Sequence, residues 1–209
     1  MTKKFTKLDN PLLRHKLGIL RDKSTSTFEF RETVKSISQI LAYEAMKDWN
    51  QIKIKNIETP IAKTQIEYID EGPMAISILR AGNPVQEAVL SILPFATGGH
   101  IGLYRNEKLD IVEYFFKIPE NHKGKDVFLC EPLLATANTS IHAISLLKKM
   151  NVGKIKLLCL LVSQTGLEKL HNIHPDVEVI ALNIETEMND HGYLVPGLGD
   201  AGDRIYGTK

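Results

Sequence analysis

The chain has 209 residues, of which 43% are hydrophobic and 24% are charged, so its composition is that of an ordinary globular protein. Lys and Arg total 26 against 25 for Asp and Glu, and the net charge of +1 gives no reason to expect nucleic acid or an anionic membrane as a partner. The length suits a single domain over residues 1–209. The apolar runs are too short to cross a bilayer and the first residues contain no apolar secretory segment, so we expect a cytoplasmic protein.

The cysteines and histidines show no spacing that is typical of metal ligands. Cys130 and Cys159 both lie in apolar runs, a pattern that favours buried thiols. The seven histidines are scattered, and no two stand at ligand spacing within a predicted helix. We therefore predict no metal site built from protein ligands alone.

The first clear helix begins with a capping box, in which Ser26 is followed three residues later by Glu29. Apolar residues then recur at helical spacing, and the pattern predicts a helix as far as about Trp49. Two later segments, 52–54 and 66–68, alternate apolar and polar residues and are predicted to be half-buried strands.

From residue 74 onward, apolar strands alternate with amphipathic helices. This alternation predicts βαβ units and an α/β fold with a mainly parallel, doubly wound sheet. Such sheets bind ligands beyond the carboxyl ends of their strands, so functional residues are expected after Leu79, Cys130 and Leu182. The predicted strands are Met74–Leu79, His100–Tyr104, Ile111–Phe116, Val127–Cys130, Lys154–Val162 and Val177–Leu182, with helices beginning at Pro84, after Ser140 and at Leu167.

The first candidate site follows the strand that ends at Leu79. Arg80 comes next, and a helix is predicted with Asn83 at its N-cap and Pro84 at its first position. Free N–H groups and the partial positive charge at a helix N-terminus suit a phosphate, and the guanidinium of Arg80 would add two donors. The alternative is a solvated arginine at a strand end, with Gly82 forming a turn.

The second candidate site is the loop after Cys130, which combines the acidic Glu131 with a stretch rich in hydroxyl groups, residues 135–140. A carboxylate accepts hydrogen bonds from sugar hydroxyls, while loop N–H groups and threonine hydroxyls hold a terminal phosphate. The alternative is simple capping, in which Thr139 or Ser140 caps the helix that follows.

The third candidate site is the C-terminal stretch 193–204, which contains three glycines and two aspartates. This composition predicts a shaped loop rather than a helix or a strand. Glycines let a ligand approach the backbone closely, so main-chain N–H and C=O groups could recognise a flat heterocycle. The alternative is a flexible terminal loop.

At these three places the sequence resembles the uracil phosphoribosyltransferases. The run HGYLVPGLGDAGDR, residues 191–204, resembles the uracil-binding signature of that family, and ILRAG, residues 78–82, resembles its pyrophosphate loop. GGHIGLYR, residues 98–105, resembles the start of its flexible hairpin. Segment 15–27 also matches, so the similarity extends over essentially the whole chain.

The resemblance implies a type I phosphoribosyltransferase core, with a small hood built from N- and C-terminal segments and a β-hairpin arm. It implies the reaction of uracil with 5-phosphoribosyl 1-diphosphate (PRPP) to give UMP and diphosphate, a step of pyrimidine salvage. Mg²⁺ is expected to bind with PRPP. A homodimer or homotetramer and a possible GTP effector are also implied.

The family motifs assign roles to individual positions. Asp200 and Arg105 are the implied catalytic residues, and no general base is nominated. PRPP contacts fall on Arg80, Arg105, Glu131, Ala135, Thr136, Ala137, Asn138, Thr139 and Asp200, and uracil contacts fall on Leu194, Gly199, Asp200 and Ala201.

The departures from the family pattern concentrate on the PRPP side. Glu131 replaces the usual Asp, and Ala137 and Asn138 replace two glycines whose freedom a phosphate cradle uses. Asn83 and Pro84 replace a usual Leu-Gly pair. An active enzyme with impaired PRPP turnover is therefore one hypothesis, and a weakened relative that binds uracil or UMP in a regulatory role is the alternative. An RNA-binding regulator on the same fold is disfavoured by the net charge of +1.

Overall fold

The structure, a computed structural model, describes residues 4–105 and 111–208. The helices in these ranges are α1 Pro11–Arg21, α2 Thr27–Ala45, α3 Asn83–Ile92, α4 Asn138–Lys149, α5 Gln164–Ile173 and α6 Ala201–Tyr206. The strands are β1 Phe5–Lys7, β2 Lys53–Glu58, β3 Lys63–Tyr68, β4 Met74–Leu79, β5 Thr97–Arg105, β6 Ile111–Lys117, β7 Val127–Cys130, β8 Leu133–Leu134, β9 Ile155–Leu158, β10 Leu161–Ser163, β11 Glu178–Ala181, β12 Asn183–Glu185, β13 Glu187–Met188 and β14 Leu194–Val195.

A seven-stranded sheet in the order β1-β11-β9-β7-β4-β5-β6 forms the centre of the molecule. All its neighbouring strands are parallel except β6, which pairs antiparallel with β5 and shifts register between Gly102 and Leu103. Smaller sheets are formed by β12-β10-β8, by β13-β14 and by the hairpin β2-β3. The predicted α/β fold with a mainly parallel sheet is therefore confirmed.

Helices cover both faces of the central sheet. Alternate residues along a strand point to opposite faces, so Ala75 belongs to the core cluster that includes residues of α1, α2, α3 and α6, whereas Met74 belongs to the cluster that includes residues of α4 and α5. Phe128 and Leu129 divide between the two faces in the same way. Because strands such as β4 are buried on both sides, they read as continuous apolar runs in the sequence.

Several predicted boundaries are wrong. The predicted strand 154–162 is two strands in different sheets, because the chain leaves the central sheet at Cys159 and Leu160, and the N–H of Leu160 donates to the carbonyl of Pro132 at 2.8 Å. Both pieces are buried, so hydrophobicity does not mark the break. Helix α2 ends at Ala45 rather than near Trp49.

The N-terminal region contains helix α1, which was not predicted, and the hairpin β2-β3, which is more exposed than expected. Asn10 caps α1 by accepting from the N–H of Leu13 at 2.9 Å, with proline at the first turn. In the hairpin, the side chain of Ile54 is 66% exposed, so the prediction of half-buried residues over 52–54 is wrong. No helix in the described ranges is long and apolar enough to span a membrane.

Candidate active site

The three predicted sites converge at the carboxyl ends of β4 and β7. The Tyr206 hydroxyl donates to the carbonyl of Arg80 at 3.0 Å, so helix α6 touches the loop after β4. A Cβ built on Gly192 would lie 3.7 Å from Cγ2 of Thr136, so the C-terminal segment also reaches the loop after β7. Parallel strands bring their carboxyl ends to one edge, which explains why segments distant in sequence meet there.

The loop after β4 packs too tightly for any residue other than glycine at position 82. A Cβ built on Gly82 would lie 2.2 Å from the carbonyl oxygen of Cys130. Arg80 is exposed, and its Cζ lies 5.3 Å from the centroid of the Tyr206 ring. Helix α3 starts at Asn83 with Gly82 in the N-cap position, so the prediction of Asn83 as N-cap is wrong, and its side chain accepts from Ser77 instead.

The loop after β7 enters helix α4 through a strained residue. Ala137 occupies the N-cap position with φ 63° and ψ −6°, in the left-handed region, and no side chain caps the helix. The alternative in which Thr139 or Ser140 caps α4 is therefore wrong. A non-glycine residue in this region costs roughly 1–2 kcal/mol, and here it stands where the family usually has glycine.

A small pocket lies within this loop, with a volume of about 80 Å³. It is far smaller than the ~300–1,000 Å³ pockets that hold drug-sized ligands, so its size suits a single group such as phosphate. The pocket is lined by Glu131, Leu133, Ala135, Thr136, Ala137, Thr139 and Ser140. It thus contains most of the residues assigned to the PRPP phosphate and ribose.

Two residues that sequence reasoning missed brace this loop. Ser163 donates to the carbonyl of Ala135 at 2.5 Å and accepts from the N–H of Gly166 at 2.7 Å. Lys169 donates to the side chain of Asn138 at 2.5 Å. The sequence feature that could have identified Ser163 is its position, because it is a hydroxyl residue that ends an apolar run and caps α5.

Glu131 is the acidic group of the site. It is half-buried, and burial raises its pKa from 4.5 to about 8. Burial alone causes this shift, and no hydrogen bond contributes to it. The carboxyl group therefore has free acceptor capacity for ligand hydroxyls once it is ionised.

The C-terminal stretch is more regular than predicted, because residues 194–195 form a strand and residues 201–206 form helix α6. The prediction of a loop without helix or strand is therefore wrong for these parts. Asp200 caps α6 by accepting from the N–H of Asp203 at 2.9 Å. Leu194 and Ala201 are buried and Gly199 adopts φ +79°, so a tight turn at Gly199 separates two fixed ends.

Two arginines hold this stretch against the N-terminal helices. Arg204 donates to the carbonyls of Leu20 and Asp22 and, at 2.8 Å, to that of Leu198. Arg21 donates to the carbonyl of Gly197 at 2.9 Å and forms a salt bridge with Glu185. These hydrogen bonds join the C-terminal stretch to helix α1 and the residues after it, while the expected hood stays a prediction.

Arg105 is the last residue of β5, on the hairpin that starts at the same edge of the sheet. Its side chain and residues 106–110, where a polar turn was predicted, lie outside the described residues. Its assignment to PRPP therefore stays a prediction.

The fold is that of the type I phosphoribosyltransferases. A solved adenine phosphoribosyltransferase from Trypanosoma brucei matches with a TM-score of 0.63 over 92% of this chain and 88% of that chain, at 12% identity, which shows the fold alone. A solved protein from Aquifex aeolicus matches with a TM-score of 0.90 and 35% identity over 97% of each chain.

The sequence comparisons specify the family. The family model for uracil phosphoribosyltransferase matches residues 7–208. Curated proteins named uracil phosphoribosyltransferase are 47% identical in Legionella pneumophila, over 97% of this chain and 95% of the relative, and 44% identical in Thermus thermophilus, over 99% and 100%. The chain belongs to the uracil phosphoribosyltransferase family.

Proposed function

We propose that the chain catalyses the reaction of uracil with PRPP to give UMP and diphosphate. The observation that carries this proposal is the convergence of the Arg80 loop, the pocket beside Glu131 and the stretch 194–201 at one edge of the sheet. The curated relatives from Legionella pneumophila and Thermus thermophilus carry the name of this enzyme, which favours it over the alternative of a regulatory binder of uracil or UMP.

Each segment supports one part of the reaction. The pocket holds the 5-phosphate, with N–H groups of the α4 N-terminus and the hydroxyls of Thr136 and Thr139 as donors. Glu131 accepts from the ribose hydroxyls, and the backbone around Gly199 recognises uracil. Arg80 and Arg105 bind the diphosphate, whose negative charge grows as it leaves.

The chemistry needs little covalent participation by the protein. The C1–O bond of PRPP breaks with its electron pair leaving on the diphosphate, and N1 of uracil forms the new bond to C1 while its proton passes to solvent. Holding the two substrates in line contributes much of the rate acceleration. Asp200, between the uracil stretch and the Arg80 loop, acts where the substrates meet.

We further propose that Mg²⁺ arrives with PRPP. In the ranges the structure describes, no three His, Cys, Asp or Glu side chains cluster into a metal site, and Mg²⁺ is commonly held by one or two carboxylates plus substrate phosphates. Glu131, with its free acceptor capacity, fits that role once ionised. The ion would supply positive charge opposite the diphosphate oxygens.

Three further expectations follow from the family resemblance and belong to the same proposal. They are a homodimer or homotetramer, a cytoplasmic location, and regulation by a GTP effector. Sedimentation of the purified protein tests the first. UMP formation measured with and without GTP tests the third.

The proposed function is tested by measuring UMP formation from uracil, PRPP and Mg²⁺ by chromatography. Cytosine and adenine are assayed as alternative bases. The matched variant is Asp200→Asn, because asparagine still caps a helix but carries no charge. We expect UMP from uracil alone and a slower Asp200→Asn variant. Equal rates for the three bases would contradict the proposed role of stretch 194–201.

A further inference from the structure

A line of polar side chains connects the sheet to the loop that carries Arg80. Ser77 is buried on β4, and its Oγ lies 2.8 Å from Nδ1 of His100 on β5. The same hydroxyl donates to Oδ1 of Asn83 at 2.8 Å. The Asn83 side chain also lies near the Tyr206 phenol, which donates to the carbonyl of Arg80 at 3.0 Å. These five residues are called the Asn83 network below.

The hydrogen bonds of the Asn83 network have defined directions. A carbonyl only accepts, so the Tyr206 hydroxyl and the backbone N–H of Asn83 both donate to Arg80. Because Ser77 gives its proton to the amide oxygen of Asn83, Nδ1 of His100 must donate to Ser77. Removal of the Asn83 side chain therefore leaves the buried Ser77 hydroxyl without its acceptor.

Tyr206 holds both the backbone and the side chain of Arg80. Its hydroxyl donates to the Arg80 carbonyl, which also accepts from the N–H of Asn83 at 3.1 Å, and its ring faces the guanidinium at 5.3 Å. Burial raises the pKa of the Tyr206 phenol, partly opposed by the nearby side chain of Asn83. The phenol therefore stays protonated at neutral pH and remains a donor.

We propose that Asn83 and Tyr206 are positioning residues for PRPP, which fix the Arg80 loop so that its guanidinium meets the diphosphate. The proposal rests on the proposed function for the identity of that ligand. Neither residue touches the reacting atoms.

Calorimetric titration with PRPP and Mg²⁺, without uracil, tests the proposal together with the KM values for PRPP and uracil. Asn83→Leu removes the acceptor for Ser77, while Asn83→Asp keeps that acceptor and loses the amide NH₂ near the Tyr206 phenol. Tyr206→Phe keeps the ring and loses the hydroxyl. We expect each variant to weaken PRPP binding roughly 3- to 10-fold, the effect of one lost neutral hydrogen bond, with the KM for uracil unchanged. The double variant Asn83→Asp, Tyr206→Phe should bind PRPP as tightly as the single variant that has the lower PRPP affinity.

Unchanged PRPP affinity in Asn83→Asp and Tyr206→Phe overturns the positioning role, and so do equal increases in both KM values, which a merely structural role would give. Additive losses in the double variant also overturn it. If the wild type binds PRPP more tightly than the variants but makes no UMP, the positioning role stands and the proposed function fails. These two variants are small changes, so the test holds even if Asn83→Leu does not fold.

Discussion

The Nζ atom of Lys169 on helix α5 lies 2.5 Å from Oδ1 of Asn138, the first residue of helix α4. The side chain that replaces the second family glycine is thus held by a neighbouring helix. The lining of the phosphate pocket includes Ala137 but not Asn138. The expected obstruction of the phosphate therefore falls on Ala137 alone, which also carries the left-handed backbone.

Ala137→Gly should accordingly produce most of the gain of the double change Ala137→Gly, Asn138→Gly. Glycine removes the Cβ from the pocket and frees the N–H groups to approach a phosphate. One well-placed donor is worth on the order of a hundredfold in rate, which sets the upper limit of the increase in kcat/KM for PRPP. Steady-state UMP formation by both single variants, the double variant and the wild type measures it.

Stability provides the control for this comparison. Relief of the left-handed strain gains roughly 1–2 kcal/mol, while glycine loses roughly 0.5–1 kcal/mol of backbone entropy together with the buried methyl group. The melting temperature of Ala137→Gly should therefore stay close to that of the wild type. A wild type that already turns over briskly, with no benefit from either glycine, would show that the loop binds PRPP in another geometry.

Glu131 should make the stability of the free protein depend on pH. Its pKa is about 8 in the folded protein against an ordinary 4.5, so its favourable contribution is complete below pH 4.5 and is lost as the pH rises through 8. Glu131→Gln stays neutral, and should melt above the wild type at about pH 8.5, with the difference shrinking toward about pH 5. Each kcal/mol corresponds to about 2–4 °C.

Thermal melting from acidic to basic pH measures this difference, with Glu168→Gln as control because Glu168 is an exposed carboxylate on α5. Parallel curves for Glu131→Gln and the wild type would mean that Glu131 is ionised in the free protein. In that case its burial does not set its charge.

Arg105→Ala should weaken PRPP binding by about 2–5 kcal/mol while leaving uracil binding unchanged, because a desolvated charge pair with the diphosphate is lost. Arg14→Ala is the matched control, since Arg14 is an exposed arginine on α1 that forms a salt bridge with Asp9, just before the helix. Calorimetry with PRPP and Mg²⁺ measures the affinity. An unchanged affinity would remove Arg105 from the site.

Uracil recognition should depend on Arg204, although this residue is not among the predicted contacts of uracil or PRPP. Lysine at position 204 keeps the charge but loses the planar set of donors that holds the carbonyls of Leu20, Asp22 and Leu198. Arg204→Lys should therefore raise the KM for uracil roughly tenfold, and weaken UMP binding, with a smaller effect on PRPP.

The wild-type protein should bind UMP at the site of Leu194, Gly199 and Ala201, which calorimetry with UMP measures. No binding at millimolar UMP would exclude that site.

The sequence predicted the elements whose patterns are local. Strands β4 and β7 are short continuous apolar runs, and their bounds were predicted correctly. The break between β9 and β10 was missed, because burial on both sides hides the point where the chain changes sheets. The family motifs identified the three loops of the site, whose convergence the structure shows.

The contacts that shape the site could not be predicted from local patterns. Asn83 was interpreted as an N-cap because asparagine before proline is typical of one, yet its side chain accepts from Ser77, six residues earlier on β4, and Ser77 also contacts His100 on the neighbouring strand. The braces from Ser163 and Arg204 likewise act on carbonyls distant in sequence. Backbone carbonyls are present at every residue, so no sequence pattern marks which one a side chain will bind.

The proposed formation of UMP from uracil and PRPP is tested most directly by the stoichiometry of the reaction. It is measured with labelled uracil, PRPP, Mg²⁺ and the purified wild-type protein. We expect one UMP for each diphosphate released, with no diphosphate released when uracil is omitted. Binding of UMP without any formation of UMP from uracil and PRPP would contradict the proposed activity and favour the regulatory alternative.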